Sequence, residues 1–419
     1  LLYDGDYLVV RKMLSNGKVQ VGNIVAVKDY NLNFATANLT IGRGGSPING
    51  GSDFDPVINT DGASIVLVYV DASQGWVATQ DDSSDIEGAQ FLIATGGTIT
   101  TSGNCKIHTF TGPGTFTVSQ VSATAAENVV SYMVVAGGGS GGVAEGGGGG
   151  GAGGFRELKS PITPYTASPL DGYPSAPNRI TVTAASFPIT VGAGGAQNPG
   201  GPPAGNPGAN SVFSTITSTG GGPGARFREA NDPEAAGGSG GGGTGRRGPG
   251  CSPNPGGNGN TPPVSPPQGN PGGAANTPAP TSTNDAGGGG GGATAAAPDS
   301  GYNTGTPGGA GATTNITASP VAYAGGGGGG SQGSTGGAGG AGGGGAGGGT
   351  GIPGTTPTAV SGTVNTGGGG GGSGNPAGQN APNRGGAAGG SGIVVVRANA
   401  GQGVTLATTP GGSVSYICS

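Results

Sequence analysis

At 419 residues, with 105 glycines, 33 prolines and only 8% charged residues, the chain is too poor in charge for a solvated disordered tail and too rich in glycine for an ordinary core throughout. A net charge of −5, with no basic patch larger than Arg246-Arg247, argues against nucleic-acid binding. No apolar run is long enough for a membrane-spanning helix, and a single histidine, His108, argues against a catalytic triad or a His-based metal centre.

The chain begins at Leu1, without Met and inside a strand-like stretch, so it reads as a piece of a longer protein. Residues 1–122 read as all-β modules: 7–13, 19–27, 63–71 and 90–94 are short β-branched runs bounded by Gly, Asn, Asp and Ser. Residues 64–70 are almost continuously apolar, which predicts a strand buried on both faces. Residues 109–117, with Pro113-Gly114 at their centre, predict strand, turn, strand. His108 reads as a partly buried strand residue. Asp53 with Asp55, and Asp81 with Asp82 and Asp85, read as solvated acidic loops rather than a calcium site. Cys105, Cys251 and Cys418 are odd in number and scattered, and read as unpaired thiols.

From Val129 the physics changes. Residues 129–136 predict one more strand, and it runs straight into glycine. Sixteen of the 105 glycines precede residue 137, and the other 89 include pure or nearly pure runs at 146–151, 240–243, 287–292, 325–330, 336–351 and 367–372. Such runs cannot hold an isolated helix or strand, because glycine loses the most backbone entropy on ordering. They suit packed polyproline-II-type helices, where a missing side chain lets backbones touch; at about 3.1 Å per residue, six glycines span roughly 19 Å. Helices inside such a bundle should be pure glycine, and those outside can carry a side chain every third position. Gly336-Gly337-Ala338-Gly339-Gly340-Ala341 has that period, which breaks by Ala346. Strict Gly-X-Y triplets are missing, so collagen is a poor fit. Residues 180–183, 187–191, 211–217 and 393–397 predict strands that bracket the glycine core.

Longer inserts at 155–191, 226–236, 251–286, 293–324 and 352–366 alternate with the runs and carry Pro, Asn, Thr and Tyr. The expected fold is thus all-β N-terminal modules (1–122), a polyglycine-II helical sandwich with a few bracketing strands (123–400) and a short β-like C-terminal segment (401–419), with essentially no α-helix. Loops on a rigid scaffold are where binding usually lives. Aromatic residues are scarce in this half, so Tyr165, Tyr173, Arg226, Phe227, Arg228, Tyr302 and Tyr323 are the candidate recognition residues. Phe155, Phe187 and Phe213 adjoin apolar strands and read as packing residues. Nothing indicates catalysis, a metal or a cofactor.

The ordered string Tyr132-Met133-Val134-Val135-Ala136-Gly137-Gly138-Gly139, Gly153-Gly154-Phe155-Arg156-Glu157, Ser211-Val212-Phe213 and Gly390-Ser391-Gly392-Ile393-Val394-Val395-Val396-Arg397 resembles the glycine-rich domain of bacteriophage tail-fibre proteins. Residues 106–116 resemble the segment that often precedes it, and 39–76 are similar to β-modules of phage fibres. The resemblance implies a fibre-tip adhesin on the virion, extracellular, whose distal loops bind a host surface protein or glycan. It also implies a homotrimer in contact with other virion proteins, without nucleic-acid binding or membrane insertion. The rival reading is a structural subunit of an extracellular glycine-rich filament. A polysaccharide-cleaving fibre is disfavoured, because no cluster of paired carboxylates occurs in the glycine half.

Overall fold

A computed structural model of the chain describes residues 7–9, 20–29, 32, 34–36, 38–43, 45–50, 55–81, 91–122, 124–143, 146–197, 205–225, 235–245, 254–275, 285–301, 303–349, 358–374 and 385–400. The chain divides into two compact units, Leu1–Phe91 with Gln120–Ala125, and Leu92–Ser119 with Ala126–Ser419. Among the described residues there is no α-helix, only short 3₁₀ turns.

The first unit is built from β1 (Tyr7–Val9), β2 (Ile24–Lys28), β3 (Leu39–Gly42), β4 (Val57–Ile58), β5 (Ser64–Asp71) and β6 (Gly75–Asp81). They form two three-stranded sheets, β1-β3-β4 and β2-β5-β6. Val25, Leu39, Ile41, Ile48, Ile58, Ile65, Leu67 and Trp76 fill its core. β5 is not buried on both faces, contrary to what its continuous apolar run predicts. Ile65 and Leu67 are buried, but Val66, Val68 and Val70 on the opposite face are only half-buried, so one face alone meets the core. Gly75 opens β6 at φ +69°, and a Cβ there would lie 1.8 Å from the Pro47 carbonyl oxygen, so the tight turn admits only glycine.

The second unit contains β7 (Ile93–Thr95), β8 (Thr98–Ser102), β9 (Cys105–Phe110), β10 (Gly114–Gln120), β11 (Ser131–Val135), β12 (Phe155–Leu158), β13 (Ser186–Thr190), β14 (Ser211–Phe213), β15 (Ile216–Ser218), β16 (Ala312–Thr314), β17 (Val321–Tyr323) and β18 (Ile393–Asn399). Ten of them make two five-stranded sheets, β12-β11-β18-β9-β8 and β15-β14-β13-β10-β7, and β16-β17 is a separate hairpin. The predicted strand-turn-strand over 109–117 exists, but its two strands do not pair. β9 bonds to β18 and β10 to β13, so the link at residues 111–113 crosses between sheets. Residues 180–183 contribute only an isolated bridge between Val129 and Thr181.

Alternation along β11 and β18 explains why every residue of β11 is buried. On one face, Tyr132 and His108 meet Phe116 and Phe213 of the other sheet. His108 lies edge-on to Phe116 at 5.0 Å, and Tyr132 edge-on to Phe213 at 6.0 Å. On the opposite face Met133, Val135, Ile393 and Val395 pack against Phe155, Ala293, Ala312, Ile316 and Tyr323. Phe155 and Phe213 are fully buried, as their sequence setting implied. His108 is fully buried rather than partly so; its Nδ1 lies 2.8 Å from the Gly96 carbonyl, and burial lowers its pKa.

The glycine runs bond to one another sideways. Segment 146–154 donates from Gly147, Gly150 and Gly153 to Ser373, Gly370 and Gly367 at 2.8–2.9 Å. Gly149 and Ala152 donate to Gly288 and Gly291, and Gly151 and Gly154 to Gly222 and Thr219. Its carbonyls accept from three further segments: Gly151 from Gly139, Gly149 from Gly242, and Gly150 from Gly327. Each partner segment therefore recurs at every third residue. Segments 325–330 and 367–374 are likewise bonded on all sides by others, and both are glycine-only apart from Ser373. Outer segments carry side chains at the same interval: Thr304, Pro307 and Ala310 are exposed, as are Thr335, Ala338 and Ala341. The period lost by Ala346 has a cause. Gly342 and Gly343, at φ +100° and +94°, reverse the chain, so 336–349 is two segments rather than one run.

Candidate functional site

Chain direction sorts the glycine half into two ends. Segment 137–142 leaves β11 and segment 146–154 returns into β12, with Ala136 N–H bonded to the Gly154 carbonyl at 3.0 Å beside the sheet. Segment 219–225 leaves β15, 305–311 returns into β16, 324–331 leaves β17, and 385–392 returns into β18. One end is therefore marked by the strands. At the other lie Gly146, Ala225, Gly245, Asp285, Asn303, Ser331 and Ser373, linked through Gly245 to Gly146, Gly147 to Ser373, Ala225 to Gly242 and Gln332 to Asp285. The described residues bounding 276–284, 350–357 and 375–384 belong to this far end, as does Ala225 before 226–234, whereas Ala235 after it lies beside Gly222 and Gly241, nearer the strands.

Where the runs stop, backbone groups lose their lateral partners, and small polar side chains take over. Asn254 Nδ2 donates to the Thr244 carbonyl at 2.8 Å, Ser300 Oγ to Ala286 at 3.1 Å, and Ser331 Oγ to Asn303 at 2.8 Å. The Asp285 N–H is received by Gln332 Oε1 at 3.2 Å. Thr244, Asn254, Asp285, Ser300, Ser331 and Gln332 are all buried. This polar layer closes the lattice and fixes where each connecting segment starts.

The strand end holds a different network. Arg397 on β18 is 2% exposed; its guanidinium donates to the Ile316 carbonyl at 3.2 Å and the Pro164 carbonyl at 2.9 Å, and it stacks on the Tyr165 ring at 5.3 Å. Glu157 on β12 is equally buried and accepts from the Ser168 N–H at 2.9 Å and from the Thr314 hydroxyl. Burial raises its pKa, and those hydrogen bonds pull it back in part. Burial is also the first cause of the raised pKa of Tyr165. Arg156 donates to Asn178 Oδ1 at 2.7 Å.

The family model described as a glycine-rich domain matches residues 109–399. The chain belongs to that family. No curated protein matches it. The matched span opens in β9 and closes with β18, so the glycine-rich domain includes the strands that frame its runs as well as the runs themselves.

Within this glycine-rich domain the candidate recognition residues separate. Tyr165, Tyr173 and Tyr323 all lie at the strand end. Tyr323 is 4% exposed and packs beside Ile316 and Phe155, which leaves it no free face; it is a core residue. Tyr165 is half-buried under Arg397 and donates to the Leu158 carbonyl at 3.3 Å. Tyr173 is half-buried too, with the exposed Arg179 guanidinium 4.4 Å over its ring. Arg226, Phe227, Arg228 and Tyr302 lie outside the described residues, but Ala225, Gly301 and Asn303, which flank them, belong to the far end. Among the described residues no group of three or more His, Cys, Asp or Glu could hold a metal ion. Asp55 instead pairs with Arg43 at 3.0 Å, while Asp53, Asp82, Asp85, Cys251 and Cys418 lie outside the described residues. Cys105 is free and buried. The sequence carries no signal for the far-end polar layer, because isolated Ser, Thr and Asn beside glycine look like any loop.

Proposed function

We propose that this chain is the tip adhesin of a bacteriophage tail fibre, which binds a protein or glycan on the host surface through segments presented at the far end of a polyglycine-II sandwich. The observation that carries the reading is positional. Successive glycine segments leave the strands and return to them, and Ala225, Ala275, Asp285, Gly349 and Gly374, which border the segments between them, lie at one end beside a layer of hydrogen-bonded polar side chains. The three-residue rotation of hydrogen bonds around segment 146–154 supports packed polyglycine-II helices, since a threefold helix turns its donors and acceptors outward at that interval. A rigid base lowers the ordering cost of a recognition loop. The activity is adhesive and non-enzymatic, on the virion and outside the cell. The homotrimer and its contacts with other virion proteins rest on the fibre resemblance, and native mass measurement on the full chain tests the trimer.

Exchange of one connecting segment at a time with that of a related fibre, scored as attachment to host cells, tests the reading. Exchange of 226–234 or 276–284 should redirect or abolish attachment. Attachment indifferent to every far-end exchange, yet lost on changes within 1–91, would overturn it.

A further inference from the structure

Two short links pass between the five-stranded sheets of the second unit. Residues 111–113 lead from β9 to β10, and Gly96-Gly97 lead from β7 to β8. His108 stands at the second link, on the face of β9 that meets the other sheet, opposite Ile99 of β8 and Val396 of β18. The link has no slack. A Cβ on Gly96 would lie 2.0 Å from the Thr115 carbonyl oxygen of β10, and one on Gly97 would lie 2.7 Å from the Thr109 carbonyl oxygen of β9. The turn is thus pressed against a strand of each sheet, and its Gly96 carbonyl meets His108 Nδ1 at 2.8 Å.

A carbonyl only accepts, so Nδ1 carries the proton and the neutral ring is held in that tautomer. Nε2 is left with a lone pair; it is buried and has no hydrogen-bond partner among the described residues. The ring packs edge-on against Phe116, which in turn meets Phe187 and Phe213. A second proton would go on Nε2, where it finds no acceptor and puts a charge into an apolar layer. Neighbouring groups give no relief. Lys106 on β9 is a cation and adds to the penalty. β11 brings Tyr132, whose hydroxyl donates to the Asn178 carbonyl, and farther along the sheet Arg156 on β12 is a second cation. β18 brings Arg397, which alternation turns to the opposite face. β7, β8, β10, β13 and β14 carry no acid or base.

We infer that His108 is an acid-sensitive latch between the two sheets: its neutral ring closes the interface, and protonation of Nε2 opens it. Burial holds its pKa below the ordinary 6.5, so an opened chain binds a proton that the closed one refuses. The stability that depends on this residue is therefore complete above pH 6.5 and falls as the pH drops. The fall reaches about tenfold in the folding equilibrium constant per pH unit, until the closed form itself takes up the proton. β11 and β18 of the same sheet carry glycine segments 137–142 and 385–392, so opening here loosens the glycine lattice at its strand end.

The chain has a single histidine, so the ring signals of the untagged full chain identify themselves. Magnetic resonance of that ring from about pH 8 to about pH 5 should show the neutral Nδ1–H tautomer, still untitrated about one pH unit below the ordinary value. Native-state hydrogen exchange at Met133, corrected for intrinsic rates, measures opening of the domain. Between about pH 6.5 and about pH 5 the opening constant should rise at least about fivefold more in the wild type than in His108→Asn, whose amide can reach Gly96 but takes no proton. His108→Phe is a second variant, in case the shorter side chain leaves a domain that does not fold. A histidine that titrates near 6.5 in the folded protein would overturn the inference, and that measurement on the wild type decides alone if neither variant folds. Equal pH dependence in the wild type and the variants would also overturn it.

Discussion

Replacing Gly369 with alanine should destabilise the glycine-rich domain by about 3–5 kcal/mol, from overpacking plus lost hydrogen bonds. A Cβ on Gly369 would lie 2.0 Å from the Gly150 carbonyl oxygen and 2.8 Å from the Gly327 nitrogen. Both are backbone atoms of segments already bonded on every side, so no side chain can swing away. Gly289→Ala should behave alike, with its Cβ 2.2 Å from the Pro307 oxygen. Calorimetry should show the melting temperature down by roughly 5–10 °C for either change. In a flexible linker, disordered before and after unfolding, the same substitution would restrict both states alike and leave melting unchanged. Ala338→Gly and Ala341→Gly, on an exposed face, serve as controls and should shift stability by less than about 1 kcal/mol. Unchanged melting for both Gly369→Ala and Gly289→Ala would mean that the runs do not pack.

Arg397→Ala should be nearly as damaging, at about 3–5 kcal/mol, because hydrogen bonds from a charged donor are worth more than neutral ones and their loss leaves buried groups unpaired. Arg397 joins β18 to two crossing segments through the Ile316 and Pro164 carbonyls, and its plane supports Tyr165. Arg397→Lys should recover only part of the loss, since an ammonium group cannot reproduce the planar fork or the stacking. Calorimetry is the suitable readout, because the single tryptophan, Trp76, belongs to the other unit and would not report the event. Wild-type stability in Arg397→Ala would show that the guanidinium contributes nothing to the strand end.

Much of the fold was legible because its signals are local. β11 and β18 stand out as β-branched runs abutting glycine, and the glycine runs themselves announce close backbone approach. What the sequence concealed is non-local. Tyr132 pairs with Val396, far along the chain, and nothing in either run names its partner. The same applies to residues 109–117. They look like a hairpin grouped with the front modules, yet β9 bonds to β18 and β10 to β13. Site reading met the same limit. Tyr323 was singled out because aromatic residues are scarce, but the three-residue strand Val321–Tyr323 is too short to show a period, so its burial could not be foreseen. Arg156 and Glu157 are charged residues on a strand whose every position is buried, against ordinary expectation. Their partners Asn178, Ser168 and Thr314 come from loops and a hairpin that no pattern places beside them.

The central claim is that the glycine runs are an ordered, mutually bonded scaffold rather than a tether. Native-state hydrogen exchange at the amides of Gly150, Gly327 and Gly370 tests it most directly. These N–H groups link four neighbouring segments in series: Gly327 donates to Gly150, Gly150 to Gly370 and Gly370 to Gly139. The account predicts that all three exchange as slowly as the amides of Met133 and Val395 in the central strands, opening only with the whole domain. Exchange at the rate of an unprotected coil, while Met133 and Val395 stay protected, would contradict it.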